Sequence, residues 1–114
     1  MKNFLINIFI LLIAFSLCCC SNGFNRSKAE DILQKQEITE EEYDILLQQY
    51  EFGIDDAIKF SQKDQSELSE DNREEIITMF AIGKRLALDE DKLTPTQVNK
   101  FTEINHKGTE ELSK

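Results

Sequence analysis

Residues 38–62 read ITEEEYDILLQQYEFGIDDAIKFSQ, and this stretch decides the fold. Thr39 and Glu42 stand three apart, the spacing at which each side chain satisfies the other residue's free backbone N–H at a helix start. Glu40, Glu41 and Glu42 put negative charge on the first turn, where the helix dipole favours it. Ile38 and Tyr43 are placed to staple the incoming chain to the helix. Tyr43, Leu46, Leu47, Tyr50, Ile54, Ala57 and Ile58 then recur at three- and four-residue steps, the period of one helix face. The spacing predicts a helix over 40–62. Ile45, Phe52 and Phe60 fall off its stripe.

Two more helices obey the same logic. Residues 61–72 are almost entirely polar apart from Leu68, and they read as a turn. Asp64 or Ser69 is placed to cap the second helix, expected over 68–89. It carries two adjacent apolar stripes: Ile76, Ile77, Phe80, Gly83 and Ala87 in one, Met79, Ile82 and Leu86 in the other. So broad an apolar face is expected of the central helix of a bundle. Thr94-Pro95-Thr96-Gln97 opens the last helix, over 95–112, with Pro95 where its missing N–H is harmless. Gln97 completes a second capping box, Leu93 can staple to Val98, and the stripe is Val98, Phe101, Ile104 or Asn105, Gly108 and Leu112. Strand signals are absent, and Val98 is the single valine. The expected fold is all-α: a small up-down-up three-helix bundle over 38–114. There is room for a short extra helix over 28–36, with Ser27 and Glu30 at capping-box spacing.

The N-terminus has a different character. Lys2 is followed by an apolar run from Phe4 to Leu17, broken only by Asn7 and Ser16, and then by Cys18, Cys19 and Cys20. A short positive start, an apolar centre and a switch to polar Ser21-Asn22-Gly23 form the layout of a secretory signal peptide. The run is short for a membrane span, which needs about 20 apolar residues. Leu17-Cys18-Cys19-Cys20 resembles the lipobox of bacterial prolipoproteins. In that family a Leu at −3 is followed by two small residues and then by the modified Cys. Cys20 fits best, with Leu17 at −3 and Cys19 at −1. Cys at −2 and −1, where Ala, Ser or Gly is usual, leaves Cys19 as the alternative. The resemblance implies cleavage after residue 19, lipid on Cys20, and a tether over 20–37 that contains Phe24. It also implies an exported protein held on the cell membrane or outer membrane. Two or three acyl chains anchor stably where one does not.

Composition narrows the function. The 114 residues carry 13 basic and 22 acidic side chains, a net of −9. Lys2 is the one charge before Arg26, so the chain beyond the leader carries 12 basic and 22 acidic residues, a net of −10. That excess disfavours nucleic acid and anionic headgroups as partners, and it favours a basic protein. With no cysteine beyond Cys20, the body has neither a disulfide framework nor a thiol nucleophile. His106 is the single histidine. Glu103 and Glu110 share its face, but no nucleophile accompanies it, so it reads as a surface residue. Asp89-Glu90-Asp91, Asp55-Asp56 and Glu70-Asp71 lack calcium-loop spacing and read as solvated acidic faces. No cofactor or metal is expected.

These features point away from an enzyme and towards a lipid-anchored envelope protein. Its acidic domain would bind a protein partner, as an inhibitor, an immunity-type protein or an accessory subunit. A spacer lipoprotein without specific recognition is the alternative. The candidate contact residues are Phe52 and Phe60, aromatics off the main stripe, and Gly83, where a groove floor would admit a partner's backbone.

Overall fold

The computed structural model describes residues 23–114. The leader, the three cysteines and the first tether residues, where lipidation of Cys20 is expected, lie outside the described residues. Local chemistry sets the four helices. α1, Arg26–Leu33, is capped by Asn25, whose side chain accepts the Lys28 N–H at 3.0 Å. α2, Glu40–Ser61, and α4, Pro95–Leu112, begin at the expected capping boxes on Thr39 and Thr94. α3, Glu70–Leu88, begins at a third, in which Ser69 and Asn72 each bond the other's backbone N–H. Each such cap contributes about 1 kcal/mol. Short 3-10 turns, Gln65–Glu67 and Glu90–Lys92, lie between α2 and α3 and between α3 and α4.

The all-α expectation holds. The extra N-terminal helix is present, two residues earlier than Ser27 and Glu30 suggest, because Asn25 takes the cap. It belongs to the bundle: Ala29 and Ile32 are buried, and Phe24 and Leu33 pack against the core. Part of the expected tether is therefore folded structure.

The central helix differs from the one expected. α2 is the hub, packing along both α3 and α4, while α1 lies across α2 and α3. α3 is not the centre of the bundle. Met79, Ile82 and Leu86 turn into the core with at most 1% exposure, but Ile77 (60%), Phe80 (66%) and Leu88 (69%) face solvent. The stripe of Met79, Ile82 and Leu86 is thus an inner one, and the other is split: Ile76 and Gly83 turn towards the core while Ile77, Phe80 and Ala87 face out. α2 becomes the hub because its off-stripe flank is also used. Ile45 packs against the core, and buried Gln49 accepts the Asn25 N–H at 2.6 Å.

Gly53 marks the closest approach in the core. A Cβ there would meet Met79 Cγ and lie 2.8 Å from Met79 Cβ, close to a backbone that cannot retreat. At Gly108 a Cβ would meet only Ile54, with Cδ1, the far end of a flexible side chain, nearest at 3.2 Å. Alanine gains about 1 kcal/mol of helix propensity at either position. At Gly53 overpacking of about 1–3 kcal/mol outweighs it. Gly53→Ala is therefore expected to lower the urea midpoint, whereas Gly108→Ala leaves it unchanged or raises it.

Candidate functional site

The outer face of α3 is the first candidate. Ile77, Phe80, Ala81, Lys84 and Leu88 recur at three- and four-residue steps, so they form one stripe opposite the buried Met79–Ile82–Leu86 face. All five are exposed. A shallow hollow beside the stripe, lined by Leu33, Ala81, Lys84, Arg85 and Leu88, extends it onto α1. Three large apolar side chains on one face amount to on the order of 300 Å², where monomers' largest patches begin and often serve a function.

A polar junction fixes the end of that face. Asp89, buried, accepts the Tyr43 hydroxyl at 2.8 Å and the Arg85 guanidinium at 2.6 Å. Arg85 donates onward to the carbonyls of Leu33 at 3.3 Å and Gln36 at 3.0 Å. One carboxylate thus ties the end of α3 to the start of α2 and to the chain leaving α1. Burial raises the Asp89 carboxyl, but the hydrogen bonds from Arg85 and Tyr43 outweigh it and hold the group below its ordinary value. Burial, and then the bond to Asp89, push the Tyr43 hydroxyl up to about 12.

A second polar cluster lies at the other end of the α2/α3 seam. A cavity of about 410 Å³ is lined by Phe24, Asn25, Arg26, Ser27, Asp71 and Glu75. Glu75 also meets the carboxyl of Asp56 from α2. Asp55, Asp56 and Asp89, expected as solvated acids, are therefore engaged: Asp55 pairs with Lys107 at 2.7 Å, Asp56 with Glu75, and Asp89 with Tyr43 and Arg85.

The sequence candidates are not brought together. Phe52 and Phe60 are half-buried on α2. Gly83 lies on α3, and a Cβ there would sit 2.9 Å from the Tyr50 ring. The space at Gly83 is thus filled from within the chain. Tyr50 in turn donates to Asn105 Oδ1 at 2.6 Å. His106 is on the surface, with Nε2 2.9 Å from Glu110. Among the described residues no group of three or more His, Cys, Asp or Glu is placed to hold a metal ion. The outer face is the site that sequence reasoning misses: periodicity puts Ile77 and Phe80 on a core stripe and leaves Leu88 unassigned. The signal against a core stripe is charge, since Glu70 and Lys84 lie seven residues either side of Ile77, on its own helical line.

Among the described residues no helix is long and apolar enough to cross a membrane. Neither a family model, nor a curated protein, nor a solved structure matches the chain.

Proposed function

We propose that the protein is a lipid-anchored envelope lipoprotein whose acidic helical domain binds another protein through the outer face of α3. The observation that carries this reading is the exposed Ile77–Phe80–Ala81–Leu88 stripe, on a helix whose opposite face already fills the core. An apolar face that folding does not need is the kind of surface that a partner covers. The lipobox-like leader supports the anchor, and the net charge of −10 beyond it favours a basic partner, approached faster at low salt. An inhibitor, an immunity-type protein or an accessory subunit of an envelope complex fits this description.

Photo-crosslinking in intact cells tests it. A photoreactive phenylalanine analogue at Phe80 is expected to give a discrete adduct, and the same analogue at Glu41 none. Adding Ile77→Asp should abolish the adduct while leaving helicity and thermal midpoint near those of the parent, since both sites are on the surface. No reproducible adduct at Phe80, with unaltered function in the Ile77→Asp/Phe80→Asp protein, would overturn the reading.

A further inference from the structure

Asp56 on α2 and Glu75 on α3 meet carboxyl to carboxyl across the seam. Glu75 Oε2 is shut off from solvent, and no N–H or O–H donor reaches it. Arg26 of α1 lines the adjoining cavity, but its guanidinium goes to Glu30 at 3.8 Å and Glu74 at 3.5 Å. Asp71 of α3 adds another carboxyl to the cavity wall. On α2, the neighbouring Asp55 is taken by Lys107 of α4. Among the described residues no cation pairs with either Asp56 or Glu75. Two carboxyls in contact without a cation cannot both ionise cheaply, so such a pair holds one proton between them.

The start of α1 lies beside Glu75 of this pair. Phe24 to Ser27 share the cavity wall with Glu75. The Phe24 ring lies 3.3 Å from where a Cβ of Gly53 would be, one turn before Asp56. We propose that Asp56 and Glu75 form a proton-operated catch for α1. With the shared proton, the first helix lies against α2 and α3. Without it, two anions oppose each other beside the start of α1 and the helix comes off.

α1 is the element that yields, because it has the least to hold it. The α2/α3 seam is closed by Leu46, Met79, Ile82 and Leu86, each at most 1% exposed. α1 has eight residues and fully buries only Ala29 and Ile32. Short elements with few buried contacts open first. The sign comes from linkage. Burial, and then the Asp56 carboxyl, push Glu75 up to about 8. A released α1 removes part of the burial, the larger cause, so Glu75 falls back towards the ordinary value of about 4.3 although Asp56 still faces it. The docked state binds the extra proton between these limits, so docking is strongest below about 4.3 and is lost as pH rises through the raised value near 8.

The test is a carbon-13 carboxyl titration of the full chain in detergent micelles, combined with amide exchange. The probes are the Ala29 amide, bonded to the Asn25 carbonyl at 3.1 Å, and the Gln34 amide, bonded to the Glu30 carbonyl at 3.1 Å. Glu75 is expected to titrate well above the ordinary range. The protection factors of both amides should fall at least about tenfold between about pH 6 and about pH 9, the equivalent of one pKa unit, while that of Leu46 holds. Glu75→Gln should keep α1 protected at both pH values. Asp56→Asn supplies a permanent donor to Glu75. It should return Glu75 towards the ordinary range and also flatten the response, so the test survives if one variant fails to fold. Titration of Glu75 in the ordinary range, equal α1 protection on both sides of its midpoint, or loosening that persists in both variants would each overturn the proposal.

Discussion

Ile82→Ala is expected to remove about 3–4 kcal/mol of stability, while Phe80→Ala, two residues away on the same helix, changes it by no more than about 0.5 kcal/mol. Ile82 has no exposed surface and sits in the α2/α3 seam with Leu46, Met79 and Leu86. Truncating it removes three carbons from the core and leaves a cavity that rigid helices close only in part. Phe80 is the larger side chain, but 66% of it is already in water. A domain of about 90 residues has roughly 5–13 kcal/mol in all, so the Ile82 loss is a large fraction of the total. Urea unfolding of the two variants measures both effects. Comparable losses would mean that both faces of α3 are buried, and the proposed contact face would be lost with that result.

Asp89→Ala carries the second large effect, a loss of about 2–3 kcal/mol. The substitution removes little volume. What it leaves behind matters: a buried Tyr43 hydroxyl and the Arg85 guanidinium, each without the carboxylate that accepted it. An unsatisfied buried donor costs about 1–3 kcal/mol, and more when charged. Arg85 keeps its bonds to the Leu33 and Gln36 carbonyls, which limits the loss. The effect also has a pH signature. Asp89 is held below its ordinary value, so its contribution is present above the unfolded value of about 3.9 and is lost as pH falls through the folded one. Thermal unfolding scans should therefore show parent and Asp89→Ala converging in acid. A gap that stays constant down to about pH 2 would assign the loss to packing instead.

These two residues also mark how far the sequence can be read. Caps are local: Thr39 with Glu42 and Thr94 with Gln97 need only three-residue spacing and backbone geometry, and both are formed. The stripes of α2 and α4 are legible for the same reason, since their polar faces leave one orientation. α3 is not, because apolar residues occur on opposite sides of it. Hydrophobicity alone does not tell Ile82 from Ile77. The packing of α3 on α2 and α1 decides it, and one link in that packing, from Asn25 to buried Gln49, uses a residue whose type gives no hint of burial. Asp89 and Asp56 are illegible for a related reason. An acid in a run of acids looks solvated until a partner 46 residues away, as Tyr43 is from Asp89, is brought to it. Phe52 and Phe60 stand out only because they miss the α2 stripe, and that flank turns out to be partly covered. Gly83 stands out only while its side of α3 is taken to be open, and Tyr50 fills it. The outer face of α3 appears only once that helix is oriented.

The position of α2 between α3 and α4 has a further consequence. α4 packs chiefly along α2, fastened by Gln97 to the Glu40 carbonyl and Asp44 at 2.9 Å each, by Tyr50 to Asn105, and by Lys100 and Lys107 to Glu51. The remaining three helices share a seam and a polar knot of their own. Cooperativity is therefore uneven along the chain. The C-terminal helix takes its place from α2, so it packs only where α2 is already formed. In N-to-C synthesis, α4 is also the last of the four helices to emerge. It joins the fold by packing on α2, where Phe101 and Ile104 close that part of the core.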